Sequence, residues 1–135
     1  ILLFLSNRIV EHMPMTDSGA KRAKKFERLS FKCAGGKFKC GRVYVSSVCR
    51  DAICKCGADI RLILQRHATG DWGILPESER RKNDERLSCF RGVLKSFYII
   101  PGGGKIAVMT SVERMETAVF LVGENARLAS AFEGI

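Results

Sequence analysis

Apolar positions recur with two periods along this chain, and the change of period divides it. Val43, Tyr44 and Val45 follow Gly41, and a run of β-branched and aromatic residues predicts a strand over 43–47. Ser46 or Ser47 can then accept from the first free amides of a helix over 48–56. Gly57 suits the left-handed residue that ends it. Cys49, Ala52, Ile53 and Cys56 share one face of that helix, which reads as core, because buried thiols behave as small hydrophobes. Asp59 can cap a second helix, on which Ile60, Ile63, Leu64 and His67 fall at i, i+3, i+4 and i+7. Gly70 stops it, and Asp71-Trp72-Gly73 reads as a turn. Pro76 opens a third helix, and Glu77 and Glu79 complement the positive end of its dipole. Residues 80–86 are almost wholly charged, and Leu87 and Phe90 are the apolar anchors of a solvated outer helix.

Beyond that helix the period returns to two. Residues 93–100 and 105–110 read as strands of a hairpin, joined through Pro101, Gly102, Gly103 and Gly104, and 117–122 as a third strand. The expected fold class is α+β, with about four antiparallel strands packed on two or three helices. Val43, Val45, Phe97, Ile99, Ile106, Val108, Val119 and Leu121 would form the buried sheet face, opposite Ile53, Ile60, Ile63 and Leu64. This gives one domain over 41–124, a basic amino-terminal arm over 1–40 and a tail over 125–135. The arm is expected to be partly disordered or to form a short basic helix over 21–32, broken at Gly35-Gly36.

Composition narrows the function classes. With 135 residues, 46% of them hydrophobic, a single folded domain is expected, and a multidomain enzyme or a solenoid is excluded. The apolar run over 1–5 is too short for a signal-peptide core or a membrane span, so the expectation is a cytoplasmic protein with no membrane partner. The net charge of +9 is uneven. Residues 1–42 hold ten bases and three acids, a difference of +7; residues 43–135 hold thirteen and eleven, a difference of +2. Lys21, Arg22, Lys24, Lys25 and Arg28 make this arm a candidate contact for nucleic acid or another polyanion; the plainer reading is a solubilising leader. Phe26, Phe31 and Phe38, interleaved with those bases, either stack on unpaired bases or anchor the arm. Cysteines 33, 40, 49, 54, 56 and 89 lack the two-residue gap of a zinc knuckle, so reduced thiols and no metal are expected.

Arg66, His67, Asp71 and Trp72 are the constellation that most resembles a site. In a catalytic reading His67 is a general base, Asp71 orients it and Arg66 holds an anion. In a structural reading His67 faces the helix dipole, Asp71 caps the turn and Trp72 fills the core. Gly102-Gly103-Gly104-Lys105 links two strands and lacks the spacing of a phosphate loop. Glu77, Glu79, Asp84 and Glu85 lie among Arg80, Arg81, Lys82 and Arg86, which reads as surface pairing.

Gly41-Arg42-Val43-Tyr44-Val45 and Leu64-Gln65-Arg66-His67-Ala68-Thr69-Gly70-Asp71-Trp72-Gly73 resemble a family of small uncharacterised bacterial proteins of plasmids and other mobile elements, whose mark is an R-H-x-x-G-D-W-G turn. The likeness runs over roughly 38–124, and the chain departs from it in its basic leader and its number of cysteines. It implies no activity or cofactor. A methylation-subunit label carried by some members would need a glycine-rich cofactor loop after the first strand, and this chain has none. The expectation is a small non-enzymatic binding protein acting on nucleic acid or a host factor. The alternatives are a module that blocks a host defence nuclease and a small hydrolase or transferase using His67 and Asp71. A homodimer through an exposed sheet edge is a further expectation.

Overall fold

The period-two segments pair into a single sheet. In the computed structural model, which describes residues 26–89, 91–102 and 104–123, the strands are β1 (Phe26–Leu29), β2 (Arg42–Ser46), β3 (Leu94–Ile99), β4 (Lys105–Thr110) and β5 (Glu116–Leu121). The helices α1 (Ser47–Cys56), α2 (Ile60–Ala68) and α3 (Glu77–Cys89) all lie between β2 and β3 in sequence. The sheet order is β1-β2-β5-β4-β3. This is the α+β class expected, with two differences: there are five strands, and β2 runs parallel to β5 while the other neighbours are antiparallel. The meander returns its last strand beside β2, and Arg42, opposite Glu116 in the register, pairs with it at 2.8 Å.

The helix caps follow the sequence. Ser46 Oγ accepts from the Cys49 amide, Gly57 adopts φ +73°, and Asp59 accepts from the Arg61 amide. Cys49, Ile53, Ile63, Leu64 and His67 are buried, and Ile60 packs partly buried against the same cluster.

Three expectations are corrected. Residues 26–29 are strand, not part of a basic helix over 21–32, because β2 offers their backbone a ladder and a cationic helix without an apolar face has nothing to bury. Residues 21–25 lie outside the described residues, as do Phe90 and the tail over 125–135. The folded domain thus reaches back to 26, and Phe38 and Cys40, inside the expected arm, are buried in the core. Third, β3 turns Leu94, Ser96 and Tyr98 inward, while Phe97 is half-buried and Ile99 is 63% exposed. A one-residue change of register exchanges faces. Here the inner one carries hydroxyls because Ser96 and Tyr98 have partners beneath the sheet. Phe97 packs against the main core and also against a smaller cluster of Val93 with Ala107 and Met109 of β4 and Ala118 and Phe120 of β5.

The outer edge of β3 is sealed. Asn83 of α3 donates from Nδ2 to the Lys95 carbonyl (2.7 Å), and its Oδ1 accepts from the Lys95 amide (3.3 Å), so one carboxamide imitates a neighbouring strand. Two residues on, Phe97 donates to the Trp72 carbonyl and accepts from the Ile74 amide. Gly73 makes this approach with φ +73°, and a Cβ there would collide with the Phe97 carbonyl oxygen. Asn83 is fully buried on an otherwise charged helix.

Replacing Asn83 by Leu strands two edge groups and is expected to lower unfolding stability by about 2–4 kcal/mol. Urea titration measures it, and a loss below about 0.5 kcal/mol would show that Asn83 does not hold the edge.

Candidate functional site

The four residues of the expected site diverge. They leave the end of α2 and the turn after it in two directions. His67 and Trp72 point into the core, and Arg66 and Asp71 point out.

His67 is fully buried. Nδ1 meets Ser96 Oγ on β3, and Nε2 lies 2.9 Å from Thr110 Oγ1 on β4. Thr110 Oγ1 lies 2.7 Å from Thr117 Oγ1 on β5, and Thr117 donates to the Cys40 carbonyl at 2.7 Å. The proton inventory along this chain has one solution. Thr117 spends its hydroxyl hydrogen on the carbonyl, so Thr110 must donate to Thr117. Thr110 then has only lone pairs for His67, which makes Nε2 the protonated nitrogen. Nδ1 is therefore the acceptor of the Ser96 hydroxyl. Burial, with a smaller contribution from the Arg114 charge, lowers the imidazole pKa from 6.5 to about 3. The ring is neutral, and both its nitrogens are engaged. Phe38 and Trp72 enclose it edge-on, at centroid distances of 5.2 and 5.6 Å, and stack on each other. Burial also pushes the Cys40 thiol up to about 11.

Asp71 does not orient His67. Its Oδ2 accepts from Arg66 Nε at 2.7 Å and its Oδ1 from the Gly73 amide at 3.2 Å, which closes the turn. The Arg66 hydrogen bond holds the Asp71 carboxyl below the ordinary range and raises the guanidinium. Both side chains are about half exposed, where such pairs contribute little. The Arg66 guanidinium also lies over the Tyr98 ring at 4.7 Å, and Tyr98 donates to the Asp71 carbonyl at 2.6 Å. Trp72 donates from Nε1 to Asp84 at 3.0 Å. The turn motif therefore builds structure: it aims an aromatic and a neutral imidazole inward and fastens itself outside. A general base needs a nitrogen within reach of substrate, and the His67–Asp71 pairing expected for a hydrolase or transferase is not formed.

The remaining candidates fall into place individually. Arg28 stands exposed on β1, its guanidinium 6.0 Å from the centre of the Tyr44 ring; Lys21, Arg22, Lys24 and Lys25 lie outside the described residues. Phe38 is in the core, and Phe26 and Phe31 pack partly buried, so these aromatics anchor the segment. Ile100 donates to the Gly104 carbonyl across the glycine turn, as in a hairpin. Glu77 pairs with Arg81, and Glu79 with Lys82 and Lys95. The six cysteines are free thiols, and no group of metal-binding side chains occurs among the described residues.

Sequence reasoning missed Ser96, Thr110, Thr117 and Arg114. Thr110 and Thr117 were visible as polar residues at core-facing strand positions, where each requires a partner, and one histidine sat on the facing apolar helix stripe; Ser96 was hidden by the opposite face assigned to β3. Arg114 carried no such signal. It adopts φ +59°, is buried, and donates to the Arg86, Gly92 and Ser111 carbonyls, tying the end of α3 to the β4–β5 turn.

The imidazole gives stability a defined pH dependence. Its folded pKa lies below the unfolded one, so its contribution is complete above pH 6.5 and is lost as pH falls towards 3. Between pH 6.5 and 4.5 the expected loss is about 2 kcal/mol in all. Urea titrations at the two pH values measure it, and His67→Phe is expected to remove most of the difference. An unchanged slope in that variant would place the proton uptake elsewhere.

No known protein family matches the chain, and no curated protein or solved structure matches it either.

Proposed function

We propose that this protein acts by binding a polyanion, with nucleic acid the leading candidate, through a cationic face continuous with its amino-terminal segment. Charge placement carries the reading. Ten of the 23 lysines and arginines fall within residues 1–42, and β1 brings the end of that segment onto the sheet. Arg28, Lys32, Lys37 and Lys39 are exposed, and none has an ion-pair partner among the described residues. Arg61 of α2 donates to the Ser30 carbonyl and Arg50 of α1 pairs with Glu27, so two further guanidiniums flank the same strand. The enclosed, neutral His67 favours binding over catalysis. The inward-packed aromatics favour contact with the phosphate backbone over base stacking. An origin on a mobile element, as the run over 66–73 implies, belongs to the same proposal.

Fluorescence anisotropy with a labelled duplex and a labelled single strand tests it. If about four phosphates are neutralised, affinity is expected to fall on the order of 100-fold between 50 and 200 mM salt. Lys32→Glu, Lys37→Glu and Lys39→Glu together should weaken both complexes and flatten the salt slope. Absence of binding at about 50 mM salt would end this reading.

A further inference from the structure

We propose that the outer edge of β1 receives an extended peptide strand from a partner protein, acidic in its flanks, with one large apolar side chain seated in the cavity beneath β1. This inference does not rest on polyanion binding.

The two edges of the sheet differ. The β3 edge is occupied by Asn83 and by residues 72–74. β1 is the terminal strand on the other side, and among the described residues no backbone group pairs with its outer edge. Its central residues, Glu27 and Arg28, are exposed. A row of unpaired amides and carbonyls is a template for another strand.

A cavity of about 260 Å³ lies under this edge, between β1, β2, α1 and α2. Leu29, Val45, Ile53 and Ile60 give it an apolar lining, and the half-exposed Glu27–Arg50 pair sits at its rim. It is smaller than the pockets of drug-sized ligands, which begin at roughly 300 Å³, and suits a single side chain. The register aligns the two features. Glu27 and Leu29 oppose Val45 and Val43, so they face the helices. In a strand added to β1, alternate side chains would take that same face, above the cavity.

A second copy is the poorer occupant. In a two-fold antiparallel pair, opposed residues lie on the same side of the sheet, so their positions must share parity. The central registers then set Glu27 against its own copy, or Arg28 against its own, and like charges directly opposed are unfavourable. Arg28, Arg50 and Arg61 surround this edge and Glu27 is the one acid lining the cavity, which selects acidic flanks in a foreign strand.

Two synthetic nonapeptides test the proposal with the full chain. Both are acidic and β-branched, one with a central phenylalanine and the other with a central serine. The phenylalanine peptide is expected to bind at least tenfold more tightly and to slow hydrogen exchange at 26–29. Cys54, exposed on α1, also lines the cavity, so Cys54→Trp fills it and should remove the difference between the peptides. Equal affinities, no binding, or amides at 26–29 already protected in the free chain would each overturn the proposal. Charge reversal at Lys32, Lys37 and Lys39 weakens nucleic-acid binding, whereas Cys54→Trp does not, so the two readings fail separately.

Discussion

A neutral imidazole ties the fold together. From Ser96 through His67, Thr110 and Thr117 to the Cys40 carbonyl, one hydrogen-bonded series crosses β3, α2, β4, β5 and the segment before β2. Each group in it is buried, and each would be costly without its neighbour. Such a series tolerates one arrangement of the elements it joins. A purely apolar core would accept small slips of α2 over the sheet; this one requires the ring to meet two hydroxyls on different strands. The His67 ring is buried and both its nitrogens are engaged, so the residue most suggestive of chemistry in the sequence serves as a structural pin.

The outer helix shows the same logic at lower density. α3 contributes Leu87 to the core, yet it is attached mainly through polar groups. Asn83 takes the place of a strand, Asp84 receives the Trp72 indole, and Arg80 donates to the Leu75 and Gly73 carbonyls. Arg114 then joins the end of the helix to the β4–β5 turn. A helix that looks like a solvated spacer is thus the closure of one sheet edge. The opposite edge has no such closure among the described residues. Edge and cavity lie together at the end of the sheet opposite the sealed strand.

Local signals were legible wherever a residue's conformational preference decides its place. Ser46, Gly57 and Asp59 mark helix ends through their own side chains or backbone freedom, and the stripe of Ile63, Leu64 and His67 marks a buried face at the helical period. β3 was misread because both its alternating sets contain large apolar residues, so periodicity alone could not choose between Phe97 and Tyr98. The choice depends on where Ser96 and Tyr98 find hydrogen-bond partners. β1 was misread because four residues carry too little pattern to outweigh a run of helix-tolerant bases.

The sequence by itself determined the α+β class, the caps, the hairpin and the lopsided charge, because these depend on neighbours within a few residues. Tertiary structure decided that β5 lies parallel to β2, that β1 joins the sheet, and that Arg66 and Asp71 turn away from His67. Those outcomes depend on contacts between residues tens of positions apart, and a buried polar group is placed by the partner it must reach, which no local pattern specifies.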